Sequence, residues 1–138
     1  MSKSFLLFTI KCTVILYFAA CTSIDAFTVD KSATPVITKG TWKVELYAAA
    51  NNKTNDLAEY YFVFGANGEL KARKNGVEIK GNWSEDNISK RINIDLGKAD
   101  PSLAWLNENW DIKEIADLQV SLQSSGNNTT DRLKITAL

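Results

Sequence analysis

Residues 59–84, EYYFVFGANGELKARKNGVEIKGNWS, contain three apolar segments of period two separated by two turn dipeptides. Phe62 and Phe64 lie two residues apart in the first segment, and the turns are Asn67-Gly68 and Asn75-Gly76. Asparagine and glycine accept the positive φ angles that tight hairpin turns require. Alternation between such turns is typical of antiparallel strands. The stretch therefore predicts three consecutive strands joined by two hairpins.

The same alternation continues on both sides of this stretch and raises the number of predicted strands to eight. One strand precedes it and begins at Trp42, and four follow it between Arg91 and Thr136. One apolar face per strand and mostly tight connections favour an up-and-down barrel over a sandwich. Residues 98–109 break the pattern, and Asp100-Pro101 predicts the start of one short helix there. The predicted fold class is an all-β, eight-stranded antiparallel up-and-down barrel with one short helix.

The apolar faces of the strands supply the expected barrel interior, which contains no charged residue. A barrel of eight strands is just wide enough to be filled by its own side chains or to hold one small ligand, so both interiors stay open. The expected interior residues are Trp42, Val44, Leu46, Phe62, Phe64, Leu70, Val77, Ile79, Trp83, Ile92, Ile94, Leu96, Ile112, Leu118, Val120, Leu122, Leu133 and Ile135.

The first 21 residues, MSKSFLLFTIKCTVILYFAAC, predict an export signal over residues 1–20. Phe18-Ala19-Ala20-Cys21 resembles the lipobox of bacterial lipoproteins. That resemblance implies that the chain is cut before Cys21 and that this cysteine is diacylated. A retained membrane helix is the alternative, but the apolar segment is interrupted by Lys11 and is shorter than the roughly 20 residues that span a bilayer. Cleavage by the ordinary peptidase, which leaves a free Cys21, is the second alternative.

Residues 21–37 are predicted to be the lipidated cysteine and a flexible tether, and residues 38–138 the barrel domain. The segment after Cys21 shows no sustained periodicity and contains Pro35. The alternative is that Phe27 and Val29 form an extra edge strand. We expect the protein in the cell envelope on the periplasmic side of the outer membrane, because Thr22 replaces the Asp that retains many lipoproteins at the inner membrane. In a Gram-positive host the same anchor would place it on the outer face of the only membrane.

The barrel region also resembles a known family. Gly40-Thr41-Trp42 resembles the G-x-W entry of lipocalins, and roughly residues 38–136 are similar to small bacterial lipocalin-like lipoproteins in the segments GTWKVELY, YYFVFGANGELKA, GNWS, INIDLG and LNENWDI. The resemblance implies that Trp42 packs across the closed end of the barrel and that a late basic residue, Arg132, lies against it. Structural roles are expected for Gly40, Trp42, Gly81 and Trp110.

The composition argues against an enzyme. The sequence has no histidine, which excludes Ser-His and Cys-His nucleophiles and His-ligated metals. No Gly-rich phosphate loop is present, and carboxylates such as Glu85 and Asp86 show no convergence on a pocket. Removing Lys3 and Lys11 from the 16 basic residues leaves 14 against 16 acidic ones, so charge gives no case for nucleic acid. We expect no cofactor, no metal and a monomer.

The first function that the sequence suggests is binding of a small apolar ligand inside the barrel. A tyrosine hydroxyl at position 60 or 61 would orient the ligand's polar part. Trp105, near Leu103 and Leu106, would belong to a moving lid or to a permanent plug at the barrel mouth. The expected ligand-binding residues are Tyr60, Phe62, Phe64, Ile79, Trp83, Ile94 and Trp105.

The alternative function is a packed barrel that acts as a protein–protein interaction module in the envelope. Tyr61 and Val63 lie on the otherwise polar outer face, and this face or residues 98–109 would dock on another envelope protein. Lys71, Arg73 and Lys80 share the outer side of one hairpin, where mixed charge is typical of a solvated surface that discourages edge aggregation.

Overall fold

The computed structural model describes residues 31–49, 52–126 and 130–138, and it forms a closed barrel of eight antiparallel strands. Each strand pairs with the next in the chain, and the last pairs with the first. This confirms the predicted up-and-down barrel. The export signal, Cys21, Phe27 and Val29 lie outside the described residues. The strands are β1 Trp42–Ala48, β2 Tyr61–Phe64, β3 Glu69–Lys74, β4 Val77–Asp86, β5 Arg91–Asp95, β6 Asn109–Ala116, β7 Gln119–Ser124 and β8 Arg132–Ala137.

The β3–β4 hairpin forms as its dipeptide predicts. Asn75 and Gly76 both have positive φ angles, of 50° and 78°, and Lys74 pairs with Val77 across the turn. Two positive φ angles give the turn a twist that matches the flanking strands. The turn therefore sets which residues of β3 and β4 pair with one another.

Three short helices accompany the barrel, whereas the sequence predicted one. They are α1 Thr34–Ile37, α2 Thr54–Leu57 and α3 Pro101–Ala104. The predicted helix is α3, and the Asp100 side chain caps it by accepting a hydrogen bond from the Ser102 backbone amide at 2.8 Å. Helices of four residues are too short to display a helical period, which is why α1 and α2 were not predicted.

Residues 31–37 belong to the folded domain, so the prediction of a tether over residues 21–37 is wrong for this part of it. Ala33 and Ile37 are fully buried, and Val36 is nearly so. Pro35 lies in the first turn of α1. A proline is tolerated there because the first amides of a helix have no partner within it. The proline that suggested a linker instead begins a helix.

A β-bulge in β1 and another in β6 reverse the side-chain alternation that the sequence predicted. The β1 bulge lies between Val44 and Leu46, and the β6 bulge between Ile112 and Glu114. An extra residue sends every later side chain to the opposite face. Tyr47 is therefore buried, and Leu46, predicted to be interior, is 37% exposed. Beyond the second bulge Ile115 is buried, although it was not among the expected interior residues.

Three other predictions of side-chain position are wrong. Val77 and Leu118 are exposed, because both lie next to turns where the sheet no longer encloses them. Ile79 is partly buried and packs against the core. Arg132 is exposed and pairs with Ala48, whereas Trp42 pairs with Ala137 at the other end of the same ladder. Arg132 therefore cannot lie against Trp42.

The ladder between β1 and β2 is short. Within the described residues its register contains the single pair Trp42–Phe62. Further along β1, the segment around α2 takes the place of a neighbouring strand. The Thr54 hydroxyl accepts a hydrogen bond from the Tyr47 amide at 2.9 Å, and the Lys53 amide donates to the Tyr47 carbonyl at 3.1 Å.

Short helices cover both ends of the barrel. The N-terminal end consists of α1 and the connections 65–68, 87–90 and 117–118, since alternate connections of an up-and-down barrel share an end. The opposite end consists of α2, α3 and the Asn75-Gly76 turn. Leu57, Leu103 and Leu106 are buried there. The core thus runs through the barrel from α1 to the helix pair α2 and α3.

Candidate functional site

The barrel interior is filled by its own side chains. Phe62, Phe64 and Ile94, all predicted to bind a ligand, are buried around a void of about 10 Å³. A water-sized sphere needs roughly that volume, whereas small-molecule pockets measure about 300–1,000 Å³. The void is lined by Val44, Phe62, Phe64, Leu70, Ile94, Leu106 and Ile135.

Trp83 and Gly81 both hold β4 against its neighbours. The Trp83 indole nitrogen donates to the Gly65 carbonyl at 2.8 Å, and its ring meets Phe64 edge-on at 5.5 Å between centroids. A β-carbon at Gly81 would lie 2.1 Å from the Asp95 carbonyl oxygen. These contacts give Trp83 a packing role and leave no room for a side chain at Gly81.

The other expected structural residues lie in the wall and core. Trp42 and Trp110 are fully buried, and Gly40 lies just before β1. The Trp110 indole nitrogen donates to the Leu106 carbonyl at 3.0 Å, and its ring meets Tyr47 edge-on at 6.0 Å. Trp110 therefore connects β6 to the segment that covers the opposite end.

The Tyr60 hydroxyl is bound within the protein. Tyr60 is buried, and its hydroxyl donates to the Asp100 carboxylate, which also caps α3. Burial, followed by the bond to Asp100, raises the pKa of Tyr60 to about 12. The hydrogen bond from Tyr60 is the chief cause that lowers the pKa of Asp100. The sequence suggested that this hydroxyl orients a ligand, but here it fastens α3 to the barrel.

Trp105 lies in the segment where the sequence predicted a lid or a plug at the barrel mouth, and it is not part of the buried core. Its side chain is half exposed, and the Lys53 ammonium lies 5.1 Å from the ring centroid. The Trp105 carbonyl accepts a hydrogen bond from the Tyr47 hydroxyl at 3.2 Å. The buried neighbours Leu103 and Leu106 close the barrel mouth instead. This arrangement is that of a plug.

One surface that combines exposed apolar side chains with two adjoining depressions surrounds the β3–β4 turn. We call Tyr61, Val77, Ile79 and the Asn75-Gly76 turn the hairpin tip. Val77 is 63% exposed and Tyr61 is 42% exposed. Depressions of about 270 Å³ lie on both sides of the turn, one reaching Ile79 and Asp100 and the other reaching Tyr61 and Glu78. The sequence indicated Tyr61 but placed Val77 inside, because alternation does not reveal where a strand passes the barrel rim.

Charged side chains of both signs surround the hairpin tip. The Lys43 ammonium lies 5.4 Å from the Tyr61 ring centroid. Arg73 pairs with Glu78 at 2.7 Å and Lys71 with Glu69 at 3.2 Å, so two of the three cations predicted to share this hairpin are paired. Lys74 pairs with Glu59 at 2.7 Å. The strands β1 to β4 carry the cations Lys43, Lys71, Arg73, Lys74 and Lys80 and the anions Glu45, Glu69, Glu78, Glu85 and Asp86.

A solved structure supports the fold. The crystal structure of a DUF4847 family protein from Bacteroides vulgatus has a TM-score of 0.57 with this chain, at 14% sequence identity. The match covers 78% of this chain and 98% of that one. The likeness shows the fold alone. We found no protein-family model and no curated protein that matches the sequence.

Two other features are absent from the residues that the structure describes. Over residues 31–49, 52–126 and 130–138, no group of three or more acidic or cysteine side chains could hold a metal ion. The part of the chain that the structure describes also contains no helix of the length and apolarity that crossing a bilayer requires.

Proposed function

We propose that this protein is a lipid-anchored, non-catalytic barrel of the cell envelope that binds a protein partner through the hairpin tip. The observation that carries the proposal is that the interior is packed whereas the outer surface exposes apolar side chains. The interior holds a void of only about 10 Å³, whereas Tyr61 and Val77 are exposed beside depressions of about 270 Å³. Apolar area that the fold leaves in water is available to a partner.

A ligand inside the barrel is less well supported, because both ends are covered. Entry through the opposite end would require α3 to move. That movement would break the bond between Tyr60 and Asp100 and the bond between Tyr47 and the Trp105 carbonyl. It would also expose Leu103 and Leu106 to water. The apolar ligand expected from the sequence is therefore the second candidate.

The chemistry of the hairpin tip indicates the kind of partner. Tyrosine is enriched among the residues that dominate binding energy at protein interfaces. Tyr61 and Val77 would supply the apolar centre, and the charges of both signs around them favour a partner with a rim of complementary mixed charge. We therefore expect a protein surface with an apolar centre and a mixed-charge margin, and no nucleic acid.

The anchor in this proposal is an acyl-modified Cys21. It is supported by the likeness of Phe18-Ala19-Ala20-Cys21 to a lipobox and by the apolar segment before it. The proposed location is the periplasmic side of the outer membrane. The mass of the exported protein tests this step, since acylation adds several hundred daltons to a chain that begins at Cys21.

Site-specific photo-crosslinking tests the proposed surface. A benzoylphenylalanine would replace Val77 in one variant and Ser84 in another. Ser84 is exposed on the same strand but lies away from the tip, so it is the matched control. We expect one discrete adduct with an envelope protein from position 77 and none from position 84. Excess unlabelled protein should suppress the adduct, and excess Tyr61→Ala protein should not.

Equal crosslinking from both positions, or an adduct that wild-type protein cannot suppress, would count against the surface. Native mass spectrometry of Cys21→Ser protein tests the second candidate directly. A bound mass of a few hundred daltons that is lost on denaturation would replace our proposal with ligand binding.

A further inference from the structure

The N-terminal end of the barrel exposes large apolar side chains at its turns. Ile88 in the β4–β5 connection is 96% exposed, and Leu118 in the β6–β7 connection is 68% exposed. Leu138, which follows β8 at the same end, is 70% exposed. The Leu118 carbonyl accepts a hydrogen bond from the Ala137 amide at 2.9 Å, so Leu118 and Leu138 lie close together. Single exposed apolar residues are ordinary, but these three all project from the same end of the barrel.

The turn that carries Ile88 is held rigidly. The Asp86 carboxylate accepts hydrogen bonds from the Ile88 amide at 2.8 Å and from the Ser89 hydroxyl at 2.8 Å. These bonds fix the backbone on both sides of the exposed side chain. Ile88 therefore projects from an ordered turn.

The N-terminal segment joins the barrel at this same end. The Glu85 carboxylate accepts hydrogen bonds from the Ala33 amide at 2.7 Å and the Thr34 amide at 2.9 Å. Lys31 pairs with Asp117 at 3.7 Å, next to Leu118 in the chain. Nine residues separate Cys21 from Lys31, and the ten steps along the chain reach at most about 36 Å. A lipid on Cys21 would thus be joined to the folded domain at this end, opposite the hairpin tip.

We propose that the N-terminal end docks on the lipid bilayer, with Ile88 and Leu118 entering its headgroup region. The inference rests on the lipid anchor of the proposed function, and it assigns an orientation: the hairpin tip points away from the membrane, towards a partner. Charges of both signs lie at this end, including the exposed pair Lys31 and Asp117 at 3.7 Å, so the surface is not strongly basic. Docking therefore depends on apolar insertion and needs no anionic lipid, in contrast to basic surfaces that require one.

Fluorescence quenching tests the docking independently of native acylation. The chain from residue 21, with Cys21→Ser and an N-terminal hexahistidine, is held on phosphatidylcholine vesicles that contain nickel-chelating lipid. A bimane fluorophore is attached to Ile88→Cys, Leu118→Cys or Val77→Cys. Val77 is the matched control because it is a similarly exposed apolar residue at the opposite end. We expect spin-labelled lipids to quench positions 88 and 118 about threefold more than position 77, as for side chains that enter an interface.

Equal quenching at the three positions would overturn the docking, and so would quenching that requires phosphatidylglycerol. A second copy of the chain is the other candidate occupant. Sedimentation without vesicles would reveal it as a dimer that the double variant Ile88→Ser, Leu118→Ser abolishes, and that result would also overturn the proposal. The mass of the protein exported by its host tests the native anchor separately, so failure of the anchor and failure of the docking are distinguishable.

Discussion

A hydrogen bond from the Tyr60 hydroxyl to the Asp100 carboxylate holds α3 against the wall of the barrel. Asp100 also caps α3 through the Ser102 amide, so one carboxylate both starts the helix and fixes its position. Tyr60 and Asp100 are 40 positions apart in the chain, and four of the eight strands lie between them. The contact therefore depends on the completed barrel.

Replacing Tyr60 by phenylalanine removes this bond and leaves the ring in place. We expect Tyr60→Phe to lower the free energy of unfolding by about 2 kcal/mol, because the lost bond was made to a charged group. Urea unfolding measures the change. Tyr61→Phe is the control, since that side chain is exposed on the outer face. Equal losses of unfolding free energy in the two variants would show that the Tyr60–Asp100 hydrogen bond does not contribute to stability.

Replacing Phe64 by alanine removes a ring that packs against Trp83 beside the central void. We expect Phe64→Ala to cost about 3–5 kcal/mol, because the cavity it leaves cannot collapse between strands held in register. Val63→Ala is the control on the opposite face of β2, where the side chain is only partly buried. Chemical unfolding of both proteins provides the comparison. A cost below about 1 kcal/mol for Phe64 would mean a loosely packed interior, contrary to the proposed function.

Placing a methyl group on Gly81 would drive it into the backbone of β5. The added β-carbon would lie 2.1 Å from the Asp95 oxygen and 2.8 Å from the Leu96 α-carbon. Backbone atoms cannot move aside as a flexible side chain can, so we expect Gly81→Ala to cost about 3 kcal/mol. Ser84→Ala on the same strand should change stability by less than about 0.5 kcal/mol. Thermal unfolding of the pair measures the difference, and a stable Gly81→Ala protein would refute the close approach.

Removing the charge of Glu85 should release the N-terminal segment. Burial tends to raise the pKa of Glu85, but hydrogen bonds from Thr34, Ala33 and Ser32 outweigh burial, so the pKa lies below its ordinary value of 4.5. The stability that this group contributes is therefore present above the unfolded pKa, and it is lost as pH falls through the folded one. We expect Glu85→Gln to cost about 2 kcal/mol at pH 7 and less at about pH 3.

The control for Glu85 is Glu114→Gln, which changes an exposed carboxylate on β6. Urea unfolding of both variants between about pH 7 and pH 3 supplies the comparison. Proteolysis of residues 31–37 should be faster in Glu85→Gln alone. A pH-independent cost for that variant would mean that the carboxylate charge is not what holds the segment.

The strands were predictable because alternation and turn chemistry are local properties. Asn75-Gly76 fixes its hairpin without help from the rest of the chain. The bulges were not predictable, because nothing near Glu45 or Lys113 indicates that an extra residue is accommodated against the neighbouring strand. Leu46 and Tyr47 exchanged faces for that reason.

The candidate site was predictable only in part, for a related reason. Tyr61 could be placed on the outer face by alternation alone, and it is exposed there. Whether Val77 and Trp105 face the core depends on where the barrel rim lies and on how α3 is rotated. Those are tertiary relationships. The packed interior likewise depends on the sum of side-chain volumes from all eight strands.

The single Trp42–Phe62 pair makes the boundary between β1 and β2 the shortest ladder of the closed barrel. Every other pair of neighbouring strands is joined by a longer register. Local opening follows the boundary with the fewest backbone bonds. We therefore expect the barrel to open locally between β1 and β2 before the short helices separate from either end. Water would then reach the interior first at this boundary.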